Sequence, residues 1–316
     1  MSMTSGRLPR ASGTATTRQG GAVGAVLRFV VVRVGFLTHL LWDRYGPFWA
    51  SLVGAAGADV VRPDPDAVLA RLTDPRVGAV PGVAFRLAVA GALALDDVDL
   101  IVVPRLNPER DGGPGGAQDP WIGDLPAALA RTRGAGPTLW PVAADLAVPV
   151  ESAAVSLLAH LVHEPAKVRR IWAQHRAAAK PARRSHPEGR VRPSDLRAVA
   201  VVGQPWLATP EIARLATGPT ERATGAFAFD PEELRAEGRR IDERLIDTDA
   251  EALGAIRRFG RSAGVDVLRL VVDGGSGSDA WLARRAEALA PRRLEVVDLR
   301  TLGTPEARLR ALLAET

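Results

Sequence analysis

Residues 274–278 read Gly-Gly-Ser-Gly-Ser, between a β-branched apolar run and a helical pattern. Glycines let a ligand approach the backbone, and the free N–H groups at the start of the following helix attract an anion. Gly275, Ser276 and Gly277 are therefore candidates for holding a phosphate or carboxylate. No lysine follows as in a P-loop, and the spacing is not that of a dinucleotide-binding turn. The plainer reading is a strand-to-helix turn with Ser278 or Asp279 as the N-cap. Ser276 is a poor candidate for a hydrolytic nucleophile, because Gly-Ser-Gly is not a nucleophile elbow and no His–Asp order accompanies it. His160 and His163 stand three apart with Glu164 adjacent, a spacing that can put two imidazoles on one helix face. No third ligand accompanies them, and His163 falls at a helix end, where a cation is favoured in any case.

Other candidates are defined by the elements that precede them. Apolar strand patterns over residues 26–35, 99–103 and 196–202 lead into Thr38 and His39, into Arg105, and into Gly203 and Gln204. Loops beyond the carboxyl ends of parallel strands are where open α/β sheets bind ligands. Further strands are expected at 58–62, 138–140, 265–272 and 294–297. Helices are expected at 45–56, 66–72, 83–95, 125–133, 151–163, 166–179, 231–244, 250–262, 280–289 and 305–314. This alternation predicts an α/β fold of two Rossmann- or flavodoxin-like lobes with parallel sheets. The organisation read from it is a disordered tail (1–27), a first lobe (28–150), a helical pair with a basic Pro/Arg linker (151–195) and a trimmed second lobe (196–316). Trp42, Tyr45, Phe48 and Trp49 are expected to pack the core rather than to form a stacking platform.

Charge narrows the function classes. The 316 residues total +5, but residues 1–34 hold +5 and residues 176–195 hold +4, leaving −4 for the remainder. A nucleic-acid binder carries its positive charge on a folded face, so nucleic acid is an unfavourable partner. No apolar run reaches the length needed to cross a bilayer, and a cytoplasmic location is expected. The acid-free N-terminus shares that feature with organellar transit peptides, although an unstructured tail or a mis-called start accounts for it more simply. With no cysteine there is no disulfide, no thiolate nucleophile and no thiolate ligand.

Eight segments in order resemble one family. Residues 34–41 (VGFLTHLL), 45–49 (YGPFW) and 57–61 (GADVV) are similar to an opening strand with G-x-P-R-A-L, then Y-x-P-F-W and L-G-x-E-V-V. Residues 99–105 (DLIVVPR) are similar to D-x-I-F-V-P-R, and 119–126 (DPWIGDLP) to C-P-K-F-x-G-L-P. Residues 199–206 (VAVVGQPW) are similar to I-x-L-L-G-H-P-Y, 274–279 (GGSGSD) to F-G-C-G-P-D, and 303–311 (GTPEARLRA) to G-x-x-T-R-x-E-A-F. Over about residues 28–314 the chain thus resembles the 2-hydroxyacyl-CoA dehydratase and activase-associated reductase family. The departures are specific. Thr38 and His39 stand at or beside the Pro-Arg positions, Gln204 replaces His, Trp206 replaces Tyr, and Asp119 and Ser276 occupy two cysteine positions.

The resemblance implies a scaffold that in the family carries a cysteine-ligated [4Fe–4S] cluster and passes single electrons to an acyl-CoA. Serine and a lone carboxylate are poor substitutes for thiolates in such a cluster, so no cysteine-ligated cofactor is expected. The reading that follows is a non-catalytic binding or accessory subunit with a cleft between its lobes. Its expected partners are a cysteine-bearing homologue or an activase-like protein, and a small anionic ligand. The alternative is a cofactor-independent enzyme acting on a CoA or phosphorylated substrate, with an inter-lobe site around Arg105 and Ser276; Asp119 is a further ligand-binding candidate.

Overall fold

The computed structural model describes residues 31–107, 119–181, 195–290 and 293–314. The expected tail, the start of the first predicted strand and most of the basic linker lie outside them. The first lobe runs β1 (Arg33–Phe36), α1 (Trp42–Ala56), β2 (Asp59–Val61), α2 (Pro65–Arg71), α3 (Pro75–Gly78), α4 (Val83–Ala94), β3 (Leu100–Arg105), α5 (Pro120–Gly123), α6 (Leu125–Arg133) and β4 (Thr138–Ala143). The helices α7 (Glu151–Leu161) and α8 (Pro165–His175) pack back onto α1. The second lobe runs β5 (Arg197–Val202), α9 (Pro210–Ala216), β6 (Glu221–Gly225), α10 (Pro231–Arg239), α11 (Asp247–Gly260), β7 (Val267–Val272), α12 (Gly277–Leu289), β8 (Leu294–Asp298) and α13 (Pro305–Leu313).

Local chemistry sets many of these boundaries. α2, α3, α9 and α13 each begin with proline, after an Asp or Thr whose side chain accepts a first-turn N–H. Proline lacks only a donor that the first turn cannot use, and the capping oxygen satisfies a donor that would otherwise be orphaned.

Both sheets are parallel and share one order, β2-β1-β3-β4 and β6-β5-β7-β8. The chain therefore reverses direction across each sheet at one place, between β1 and β3 and again between β5 and β7. The second sheet alternates cleanly. Val199, Val201, Val267 and Val271 join the same apolar cluster as the first lobe, while Ala200, Val202, Leu268 and Leu270 pack with α11 and α12 in a second cluster. Side chains one residue apart on a strand point to opposite faces, so one face of the second sheet belongs to a core that the two lobes share.

Several elements differ from their sequence expectation. β6 and α9 carry no apolar run that would announce them: Glu221–Gly225 is a polar edge strand, recruited by backbone pairing to β5. α10 stops at Arg239, and α11 starts at Asp247 rather than at Ala250. Among the described residues, no helix is long and apolar enough to cross a membrane.

Candidate functional site between the lobes

The carboxyl ends of the four central strands carry the candidate residues. After β1 the chain turns through Thr38 and His39, both buried, to Leu41, whose φ of 61° is left-handed. His39 is hydrogen-bonded to the backbone of Ala84, and its Nε2 is buried with no hydrogen-bond partner. Burial lowers its pKa to about 4, with the Ala84 bond opposing that shift, so the imidazole is neutral near pH 7. After β3, Arg105 is exposed, whereas Asn107 turns inward and ties the two lobes together. Asn107 Nδ2 donates to the Ile122 carbonyl at 2.9 Å, and its Oδ1 accepts from the Thr248 N–H at 3.2 Å.

After β5, a Cβ on Gly203 would lie 2.7 Å from the Val271 carbonyl oxygen, so this glycine is required by the close approach of β7. Gln204 is fully buried, and its Nε2 donates to Asp249 Oδ1 at 2.8 Å. After β7, Asp273 accepts the Val83 N–H from the opposite lobe through one oxygen and the Gly275 N–H at 3.0 Å through the other.

The Gly-rich turn and Asp119 meet directly. Ser276 Oγ donates to Asp119 Oδ2 at 2.7 Å, Gly277 N–H donates to Oδ1 at 3.2 Å, and Ser278 N–H donates to Oδ2 at 3.2 Å. In return, Asp119 N–H donates to Ser278 Oγ at 3.1 Å. The Gly-rich turn thus holds a carboxylate of the protein's own first lobe through Ser276, Gly277 and Ser278. Helix N-termini favour negative charge, and that preference is spent here on holding the lobes together. The cap of α12 is Ser276, whose Oγ accepts the Asp279 N–H at 3.1 Å; it is neither Ser278 nor Asp279, as the sequence suggested. Ser276 Oγ is therefore engaged both as donor and as acceptor.

Beneath this latch, Asp279 is almost fully buried and accepts the Asp273 N–H at 2.7 Å. Desolvation drives its pKa well above the ordinary carboxylate value. The Asp273 N–H bond opposes that shift, and the neighbouring carboxylates Asp273, Asp119 and Asp249 reinforce it. An aromatic wall closes one side: Phe85 stacks on Trp121 at 5.5 Å, and Trp121 meets Trp206 at 5.2 Å across the seam.

Sequence reasoning missed the ion pairs that seal the seam elsewhere. Arg44 of α1 makes a bidentate bond to Glu251 of α11, both distances 2.7 Å, with side chains 10% and 5% exposed. Arg235 of α10 reaches Asp145 of the first lobe and Asp247. Single charged residues scattered through amphipathic helices carry no signature that separates them from solvated ones. Of the nine candidate residues, Asp119, Ser276 and Gly277 are brought into mutual contact and Gly275 lies one residue away. Gly203 and Gln204 are placed by packing, Thr38 and His39 are buried at the tip of β1, and Arg105 is exposed. His160 stacks on Trp140 at 5.1 Å. Among the described residues, no group of three or more His, Cys, Asp or Glu side chains is arranged to hold a metal ion.

No family model matches the chain, and no curated protein does. Among solved structures, a substrate-binding protein, FpvC from Pseudomonas aeruginosa in complex with Mn2+, is 14% identical. The match covers 90% of this chain and 95% of that one with a TM-score of 0.23, a similarity too slight to carry a residue or a ligand across.

Proposed function

We propose that the protein is a cluster-less relative of the 2-hydroxyacyl-CoA dehydratase type, working in the cytoplasm as a non-catalytic binding or accessory subunit. The observation that supports this most is the contact between Asp119 and Ser276 at 2.7 Å. These are the two positions whose surrounding motifs resemble cysteine-bearing segments of that family, and they come from different lobes. A pair of positions that once shared a cluster would face each other across the seam in this way. In their place stands a carboxylate held by a hydroxyl and two backbone N–H groups, a substitute that keeps the lobes together without a metal. Ser276 Oγ is tied up as donor to Asp119 and as the cap of α12, and His39 is buried, which disfavours the enzyme alternative. The partner in this reading is a cysteine-bearing homologue.

The test is anaerobic incubation with iron and sulfide followed by desalting, with and without a cysteine-bearing homologue of the family. The expected result is no iron and no charge-transfer absorbance retained by this protein alone, and a stable complex with the homologue on gel filtration. A brown holoprotein formed by this chain alone, or no association with any cysteine-bearing relative, overturns the proposal.

A further inference from the structure

The other side of the Gly-rich turn opens onto a cavity of about 340 Å³. We infer that it is a binding site for a phosphate monoester bearing a compact apolar group, a site distinct from the latch and independent of the accessory reading. Three arginines line it, from three separate segments: Arg86 on α4, Arg300 just after β8, and Arg308 on α13. Two of them are fixed by the protein. Arg300 is braced by Asp298, with Nη2 at 2.5 Å from Oδ2, and Arg308 Nη1 donates to the Leu302 and Gly303 carbonyls at 2.9 Å. A guanidinium has five N–H donors in a planar fork, so each keeps donors to spare.

Arg86 is different. Its Nε is buried and makes no hydrogen bond, and among the described residues no carboxylate lies within ion-pairing distance of it. Burying part of a cation without a counter-charge is costly unless something anionic completes it. The acid in the cavity wall, Asp273, makes no ion pair with Arg86; its oxygens accept the Val83 and Gly275 N–H groups.

The remaining wall is apolar, with Val83, Leu299 and Leu309 among its residues. Gly82 has a φ of +78°, and a Cβ on Gly275 would lie 3.2 Å from the Gly82 nitrogen, so two glycine turns from opposite lobes form the floor. Small-molecule sites have volumes of this order, mostly apolar walls and a few convergent polar groups. Arginine forks suit the several oxygens of a phosphate better than any single hydroxyl.

Calorimetric titration of the full-length protein with phenyl phosphate tests the inference, with inorganic phosphate and benzyl alcohol as controls. One phenyl phosphate is expected to bind per chain, more tightly than inorganic phosphate, with no heat from benzyl alcohol. R86Q keeps the apolar stem and is expected to weaken binding by more than about tenfold without lowering the urea midpoint. Leu309→Glu, which places a negative charge in the apolar wall, is expected to weaken binding likewise, and Arg105→Ala to leave affinity unchanged. No binding of phenyl phosphate, equal affinity for inorganic phosphate, or unaltered affinity in both cavity variants overturns the site. None of these results bears on the Asp119–Ser276 latch, which the iron and sulfide experiment tests separately.

Discussion

At the scale of single residues, the seam is governed by groups whose ionisation is set by burial. His39 is held neutral by desolvation, and its pKa falls from 6.5 in the ordinary state to about 4 in the fold. Protons therefore bind the unfolded chain more readily than the native one. The stability this residue contributes is fully present above about pH 6.5 and is lost as pH falls from there through about 4, by up to about 3 kcal/mol. Asp279 acts in the opposite sense. Its raised pKa gives stability that is complete below the ordinary carboxylate value and is lost as pH rises through the native one. The two effects overlap, so the histidine's share is read as a difference between two proteins. His39→Gln keeps a donor for Ala84 but cannot titrate. Urea denaturation of both from pH 7 to pH 4 is expected to show the advantage of the natural protein shrinking by about 3 kcal/mol over that window. A difference that stays constant with pH contradicts the assignment.

At the scale of elements, the joint between α1 and α11 rests on one buried pair. Arg44 and Glu251 are both nearly excluded from water, and burial alone disfavours the charged arginine; the adjacent Glu251 carboxylate outweighs that and raises its pKa. Removing one partner strands the other, so Glu251→Gln is expected to cost about 3–5 kcal/mol. Arg44→Met with Glu251→Leu removes both charges at similar volume and is expected to recover most of that loss. Chemical denaturation of the two singles and the double closes the cycle, and additive losses would mean that the pair is not coupled. Such a pair could not be read from the sequence, because Arg44 lies in a helix whose apolar periodicity was visible while its partner lies 207 residues away. What was legible had local causes. The β-branched runs of β3, β5 and β7 and the proline starts of α8, α10 and α13 announce themselves within a few residues. The Gly-rich turn after β7 is likewise offered by its composition as an anion cradle, beside the plainer reading as a capped strand-to-helix turn. That its anion is Asp119 depends on a contact between residues 157 positions apart, which composition does not encode. β6 was illegible for a related reason: its residues are polar, and only pairing with β5 makes them a strand.

At the scale of the whole molecule, the question is whether the two sheets unfold as one body. A single apolar cluster runs from Val34 and Phe36 of the first sheet through Trp121 and Trp206 at the seam to Val199, Val201 and Val271 of the second. Residues Val31–Thr316 accordingly form one compact unit. Two lobes joined only by a linker would have separate cores and separate transitions, whereas a shared core makes exposure of either face costly to both. The latch sits at the edge of that core, so cutting it weakens the whole rather than freeing one lobe. Asp119→Ala leaves the Ser276 hydroxyl and the Gly277 and Ser278 N–H groups short of an acceptor in a half-buried seam, a loss of about 1–3 kcal/mol. Far-UV circular dichroism follows both lobes, and the difference in tryptophan fluorescence between the protein and its Trp206→Phe variant isolates the Trp121–Trp206 contact from the other tryptophans, so the two signals separate if the lobes part first. The expected outcome is coincident transitions in the natural protein and again in Asp119→Ala, with the midpoint lower and the urea slope unchanged. A fluorescence change that precedes the circular dichroism change in the variant would mean that Asp119 holds two independently folded lobes together, and that the shared apolar cluster contributes little to their cohesion.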